Sequence, residues 1–273
     1  MNRPSSLDRL QSAAAKLARA REHVDAITAC VREYLNSTPY VISTTRESDT
    51  NRLTYFVASV KPTPTRVSAL IGDAIHNLRS ALDHVAYQLV WVAVGTPPST
   101  RVYFPIGDNR ERYLEQRRHQ LKGALSDAIA AVDAVKPYHG GNDLLWQLHK
   151  LNNIDKHRML LTAGSVYQSF NIGPRMSRDL RNLMADVHDG SSETDFPSVN
   201  LFLQPKNKKF PLEAGDRLLT DLPDAEPDPT LQFQFSLSFG EQGIVYGEPI
   251  IETMAAMLKC VEELLSTFKS HLQ

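Results

Sequence analysis

Polar side chains capable of acid–base chemistry recur along one side of the longest helical pattern in the chain, residues 64–95. At about 100° per residue the apolar side chains collect on one face. The other face collects Asp73, His76, Asn77, Ser80, Asp83, His84, Tyr87 and Trp91. An ordinary surface helix would carry Lys and Glu there, yet these 32 positions contain no lysine. The pattern therefore predicts that a second helix or a ligand covers the polar face.

Within this helix the segment HNLRSALDH places Arg79 five residues before His84. It resembles the Arg-x4–6-His signature of the HEPN superfamily of compact helical bundles. Many members of that family are metal-independent ribonucleases of defence or toxin–antitoxin systems, and their Arg and His lie near a dimer interface. The resemblance covers about thirty residues and implies a catalytic Arg79 and His84 in a homodimer. Ser80 follows the arginine here, where the family usually has Asn, Asp or His.

The chemistry implied by this resemblance suits the two residue types. RNA can be cut by its own 2′-hydroxyl, so the protein has only to move protons and stabilise charge. An imidazole serves as base or acid near neutral pH, and a guanidinium donates two hydrogen bonds to phosphate oxygens. Because a spacing of five turns the two side chains about 140° apart on a helix, they need a two-helix or dimeric cleft. A structural alternative stays open: Arg79 pairs with Asp83 at i,i+4 and His84 hydrogen-bonds across the bundle.

A second polar group lies on the helix predicted for residues 143–161. His149, Asn153 and His157 recur every four residues, with Lys156 beside them. Asp155 falls among the apolar positions and must find a partner there. This group predicts either a polar cap of the bundle or part of the same site, in which Asp155 orients His84 or pairs with Arg79. In the second case the side chains expected to bind substrate are His76, Asn77, Ser80, Asp83, His149, Asn153, Asp155, Lys156 and His157.

A metal site is the remaining alternative for these histidines. Asp73, His76, His84, His149 and His157 could supply ligands in a bundle core, but Glu-x-x-His and His-Glu-x-x-His spacings are absent. We therefore expect no metal and no other cofactor. Phosphate-binding glycine loops and a Gly-x-Ser-x-Gly elbow are also absent, which gives nucleotide hydrolysis and acyl transfer no support.

Composition fits an ordinary globular protein of 273 residues with 42% hydrophobic and 22% charged residues. A formal net charge of −1 excludes a global basic field, so nucleic acid would have to bind a local patch. Cys30 and Cys260 lie in apolar helical patterns and indicate a reducing compartment. No signal peptide or membrane span is apparent, and we expect a cytoplasmic protein without a membrane partner.

Helical and strand patterns alternate along the rest of the chain. Helices are predicted from residue 5 or 6 to about Leu35, and over 108–121, 126–135, 143–161 and the segment after Pro249, with a short one over 178–187. Strands are predicted for 40–45 and 52–60 as a β-hairpin, and for 165–172, 199–203 and 231–239. Residues 221–229, DLPDAEPDP, indicate an acidic, proline-rich loop.

These elements predict an α+β fold, mainly a helical bundle of long helices with a β-hairpin and a β-rich antiparallel insertion before the C-terminal helix. We assign residues 1–161 to the bundle, with the hairpin at about 40–60 as part of it. Residues 162–247 form the β-rich insertion, and 248–273 a helix that packs back on the bundle.

The function predicted from the sequence is that of a HEPN-like intracellular protein, a metal-independent endoribonuclease or RNA-binding protein of a defence or toxin-type system. Its predicted partners are RNA, a second copy in a homodimer, and a protein bound at the β-rich insertion. The alternative is a non-catalytic protein-interaction module, in which the polar helix face is a structural network within the bundle.

Overall fold

The computed structural model describes residues 6–98, 101–157, 161–187, 199–205 and 209–272, with backbone only for 6–8, 157 and 185–187. The fold is α+β, as predicted. The helices are α1 (Ser6–Asn36), α2 (Thr65–Val94), α3 (Arg110–Gln120), α4 (Ser126–Val135), α5 (Asp143–His157), α6 (Gly173–Val187) and α7 (Ile250–Phe268), and a 3-10 turn (Lys269–Leu272) follows α7. The strands are β1 (Tyr40–Arg46), β2 (Arg52–Val60), β3 (Ala163–Asn171), β4 (Phe202–Leu203), β5 (Arg217–Pro223) and β6 (Gln232–Phe239).

Two compact units divide the chain. The first contains residues 1–31, 64–162 and 241–273, and the second contains residues 32–63 and 163–240. The first unit therefore holds most of α1 together with α2 to α5 and α7. The second holds all six strands and α6.

Helix α2 is the centre of the first unit and packs against α5 and α7. Its predicted apolar face is buried, and Ile71, Ile75, Leu78 and Leu82 have no exposed surface. The helix ends at Gly95, whose φ of 78° lies in the left-handed region and whose N–H donates to the Trp91 carbonyl. A residue without Cβ takes this conformation at little cost, which explains the stop.

A glycine on α2 lets α5 approach closely. A Cβ on Gly72 would lie 2.4 Å from Oδ1 of Asp155 on α5, so the carboxylate occupies the place where a side chain would be. Asp155 is thus half-buried against the α2 backbone, which accounts for its position among the apolar residues of α5.

The second unit contains two antiparallel three-stranded sheets, in the orders β1-β2-β5 and β4-β3-β6. A cluster of buried side chains forms its core: Val57, Tyr167, Phe170, Leu212 and Leu218. The β1–β2 hairpin confirms the strands predicted for 40–45 and 52–60, and β3 and β6 confirm those predicted for 165–172 and 231–239.

Two predictions about the second unit were wrong. The hairpin does not belong with the bundle, because β2 pairs along its second edge with β5, which brings the hairpin into the other unit. This pairing provides partners for backbone N–H and C=O groups of β2 that would be unpaired at an open sheet edge. Residues 221–223, predicted as part of an acidic loop, are the end of β5, and Arg52 pairs with Pro223.

Two further boundaries differ from prediction. Helix α6 begins at Gly173 instead of residue 178, and the strand predicted for 199–203 is reduced to Phe202–Leu203. Helix α5 is described as far as His157, and the predicted extension over 158–160 lies outside the described residues. Among the described helices, none combines the length and apolar character that crossing a membrane requires.

Candidate functional site

A pocket of about 540 Å³ lies in the first unit beside α2. Its walls come from α1, from α2, from the segment before α3 and from the end of α5. The lining residues are Ser12, Ser80, Asp83, His84, Tyr87, Gln88, Val102, Tyr103 and Lys156. The polar face of α2 therefore meets a neighbouring helix, one of the two coverings that the sequence pattern left open, and it also lines this pocket.

Arg79 does not line this pocket, although the HEPN resemblance implied that it is catalytic. Its side chain is buried, donates to the Phe104 carbonyl at 2.7 Å and pairs with Asp83 at 2.9 Å. Asp83 also accepts a hydrogen bond of 2.9 Å from the Phe104 N–H. The i,i+4 pairing of the structural alternative is thus present, and the pair fixes the backbone of residue 104 beside the pocket.

Burial dominates the electrostatics of this pair. It raises the pKa of Asp83 above its ordinary value, against the opposing effects of Arg79 and of the Phe104 N–H. Burial also lowers the pKa of Arg79, which Asp83 partly offsets. Asp83 lines the pocket, and its carboxyl group is paired with the Arg79 guanidinium.

His84 lines the pocket with one ring nitrogen unsatisfied. Its Nδ1 is buried and has no hydrogen-bond partner within the described residues. The same holds for Oε1 of Gln88, one turn further along α2. A buried polar atom without a partner costs on the order of 1–3 kcal/mol, so a hydrogen-bond partner at either atom would stabilise the protein.

Helix α1 places a guanidinium beside Trp91, one turn beyond the lining residue Gln88. Arg9 is buried one turn before Ser12, and its Cζ lies 5.7 Å from the centre of the Trp91 ring. Its Nη1 has no hydrogen-bond partner among the described residues. Because Arg9 faces Trp91 while Lys16 reaches Asn77 at 3.4 Å, α1 runs antiparallel to α2 along this seam.

Two predicted site residues, Asn77 and His76, belong to that seam and not to the pocket lining. Asn77 is buried, accepts from Lys16 and donates to the Asp73 carbonyl at 2.8 Å. His76 is exposed, and desolvation, with the charges of Lys156 and Lys16, lowers its pKa. Lys156 is thus close to His76, and it lines the pocket, whereas the other predicted side chains of α5 that the structure describes do not.

The other predicted residues on α5 are placed elsewhere. His149 and Asn153 hydrogen-bond to each other, with Nε2 and Nδ2 3.2 Å apart. Asp155 lies over Gly72, and burial with the nearby Asp73 raises its pKa. Two roles were left open for Asp155, orienting His84 or pairing with Arg79, and Arg79 pairs instead with Asp83 on its own helix. The side chain of His157 lies outside the described residues.

The burial of His149 predicts a pH-dependent stability. Desolvation, then the charges of Arg79 and Lys150, lower its pKa from 6.5 to about 4. Between pH 6.5 and pH 4 the unfolded chain binds a proton at His149 more readily than the folded chain does. The free energy of unfolding that this histidine contributes above pH 6.5 is therefore lost as the pH falls towards 4. We expect wild type to lose about 2 kcal/mol more than His149→Gln between pH 7 and pH 5. Urea unfolding at both pH values measures this difference.

His119→Gln is the matched control, because His119 is exposed on α3. The control should keep the wild-type pH dependence. Equal losses in His149→Gln and wild type would contradict the assigned burial cost.

Several pocket residues were not predicted from the sequence: Ser12, Gln88, Val102 and Tyr103, with Arg9 close by. Ser12 and Arg9 stand three apart, on one face of a helix, as do Gln88 and Trp91 on another. Such pairs of polar or aromatic residues, spaced three apart on two helices that pack together, could have indicated Ser12 and Gln88 as site residues. For Val102 and Tyr103, which lie outside regular elements, the sequence offers no such pattern.

In the part of the chain that the structure describes, no group of three or more His, Cys, Asp or Glu side chains is arranged so that it could hold a metal ion. Comparisons with known proteins returned no matching family model, no matching curated protein and no matching solved structure. The function is therefore argued from the geometry of the pocket.

Proposed function

We propose that the protein binds single-stranded RNA in this pocket and cleaves it without a metal ion, with His84 transferring the proton. The observation that supports the proposal is the meeting of three groups in one pocket: the His84 imidazole, the Lys156 ammonium and the Ser80 hydroxyl. These supply a base, a positive charge and a hydrogen-bond donor within one cavity, as phosphodiester cleavage by an internal nucleophile requires.

The proposed reaction balances with the groups of the pocket and water. His84 accepts the proton of the ribose 2′-hydroxyl as O2′ forms its bond to phosphorus. The bond from phosphorus to O5′ breaks, and O5′ takes a proton from water. The hydroxide that remains takes the proton from the His84 imidazolium, which regenerates the base. The products are a 2′,3′-cyclic phosphate and a 5′-hydroxyl. Lys156 and Ser80 interact with the phosphate oxygens as charge accumulates on them.

The remaining walls suit a nucleotide. The volume lies within the range of about 300–1,000 Å³ typical of small-molecule sites. Tyr87 and Tyr103 line it with aromatic rings on which a base can stack. Arg9, one turn before the lining residue Ser12 on α1, adds a positive charge beside this wall. We also propose that the protein is cytoplasmic, because the RNA substrate is present in that compartment.

Arg79 is a positioning residue in this proposal. It holds Asp83 and the Phe104 carbonyl, and through them the backbone that carries Val102 and Tyr103. Lys156 takes the phosphate-binding role that the HEPN resemblance implied for the arginine.

Lys156→Met should weaken RNA binding and reduce its dependence on salt. Each phosphate contact on a single strand contributes about 0.7 to the slope of log affinity against log salt, so we expect the slope to fall by about that amount. Fluorescence anisotropy with a labelled single-stranded RNA over a salt series measures it. Lys122→Met is the matched control, because Lys122 is exposed and outside the pocket lining. Equal slopes in the Lys156 variant and wild type would remove Lys156 from the phosphate site.

The reaction itself is tested by incubating the protein with single-stranded RNA in EDTA and analysing the ends of the products. We expect fragments that carry 2′,3′-cyclic phosphates. RNA that stays intact, or fragments with 3′-hydroxyl ends, would contradict the proposed step.

The second candidate is a non-catalytic interaction module, favoured by one observation. In the interior Arg79 pairs with Asp83, and both side chains hydrogen-bond to the backbone of Phe104, as in a structural network, although Nη1 of Arg79 has no partner among the described residues. This candidate predicts RNA that stays intact in EDTA, and His84→Gln would then change only stability.

A further inference from the structure

Helix α6 packs on its own unit through its polar side. Ser177 is buried, and Arg178 forms two hydrogen bonds to Asp228, at 3.1 and 2.9 Å. Arg175 pairs in the same way with Asp221 at the end of β5. Ionic contacts therefore hold the helix on the second unit.

The apolar side of α6 is exposed instead. Met176, Leu180, Leu183 and Met184 follow helical spacing and have 50%, 45%, 60% and 38% of their surface exposed. An amphipathic helix normally turns such a stripe towards the core. Here the orientation is reversed, and no side chain among the described residues of the unit buries the stripe.

A second exposed apolar run lies against the first turn of α6. A Cβ on Gly173 would lie 1.6 Å from the Val199 carbonyl oxygen, and the Ile172 N–H donates to the Leu201 carbonyl. Val199, Leu201, Phe202 and Leu203 are 56%, 39%, 43% and 41% exposed. Phe202 and Leu203 form β4, which is an edge strand of the sheet β4-β3-β6. An apolar edge strand that remains open is a site for pairing with another chain.

We name these eight side chains the α6–β4 surface: Met176, Leu180, Leu183, Met184, Val199, Leu201, Phe202 and Leu203. At these exposures they present on the order of 600–700 Å² of apolar area, at or above the largest patch of a typical monomer. A stable interface buries about 800 Å² on each partner. The α6–β4 surface, together with a few polar side chains around it, therefore has about the area that one partner buries in such an interface.

We propose that the α6–β4 surface binds the same surface of a second copy of this chain. A symmetric dimer brings two identical surfaces together. The surface must therefore carry little net charge, because like charges on the two copies would repel each other. Among the described residues of α6, its rim carries an exposed acid, Asp179, and an exposed base, Arg181. An edge strand can also pair with its own copy across a two-fold axis, which continues the sheet from one protomer to the other.

Charge argues against an anionic membrane as the occupant. Binding to such a surface draws on free Lys and Arg around the apolar face. Arg175 and Arg178 are engaged by Asp221 and Asp228, which leaves Arg181 as the one basic side chain of α6 without an ion pair in the described residues.

The test is the mass of the full chain by sedimentation equilibrium. Wild type should have about twice the chain mass of 30.6 kDa. The variant Leu180→Glu/Leu183→Glu should be monomeric, with the dimer dissociation constant raised at least about 100-fold because two central contacts become buried charges. Both positions are exposed in the protomer, so circular dichroism of the variant should match wild type.

Leu222→Glu is the matched control, because Leu222 is 69% exposed on β5 and outside the α6–β4 surface. It should remain a dimer. A monomeric wild type, or a dimer that persists in the double variant, would overturn the proposal. Binding of a monomeric wild type to vesicles of anionic lipid would assign the surface to a membrane and would overturn it as well.

Discussion

Arg79→Met is expected to lower the free energy of unfolding by about 3 kcal/mol, because removing one member of a buried ion pair leaves the other charge without a partner. Asp83 would keep only the Phe104 N–H, and the Phe104 carbonyl would lose its guanidinium donor. For a unit of this size the melting temperature should fall by roughly 6–12 °C. Thermal unfolding followed by circular dichroism measures the change.

Two further variants separate this structural role from a direct role in binding. Arg79→Met/Asp83→Asn should recover at least about 1 kcal/mol, because the buried charge is gone and the amide oxygen can still accept from Phe104. Arg112→Met, on an exposed ion pair with Glu115, should cost less than about 0.5 kcal/mol. If Arg79→Met kept wild-type stability but lost RNA affinity, Arg79 would contact the substrate, as the family resemblance implied.

Local patterns were sufficient to predict most helices. Helix α4 spans Ser126–Val135 as predicted, and α2 ends at the Gly95 that precedes Pro97. Both depend on spacing and turn residues within a short stretch of chain, so neighbouring sequence contains the needed information.

Long-range pairing could not be predicted in the same way. Strand β5 ends in residues 221–223, whose acid and proline indicate a loop, and its pairing with β2 joins positions more than 160 residues apart. The apolar spacing of α6 would place its stripe in a core. Arg175 and Arg178 reverse this orientation through ion pairs with aspartates that sequence patterns do not connect to the helix.

The part of the candidate site on α2 was predictable only partly, since His76 and Asn77 lie on its polar face but not in the pocket lining. Ser80, Asp83 and His84 were identified from α2, and all three line the pocket. Arg79 is on the same helix but turns inward, because the Phe104 carbonyl offers a partner that periodicity cannot show. Tyr103 became part of the site only through the fold, since nothing in its own segment indicates a functional residue.

His84→Gln should have the largest effect on chemistry. Loss of a group that transfers the proton typically costs 10²–10⁴-fold in rate, and we expect a fall of about that size in the single-turnover rate of RNA cleavage. The amide keeps hydrogen-bonding capacity at this half-buried position but cannot accept the proton, so the melting temperature should change little. His119→Gln, at an exposed position on α3, should cleave at the wild-type rate.

The measurement that tests the central claim most directly is this single-turnover rate in EDTA, for wild type and His84→Gln at equal protein concentration. The proposed function predicts metal-independent cleavage by wild type and a loss of about 100-fold or more in the variant. Equal rates in the two proteins, or no cleavage by either, would contradict it.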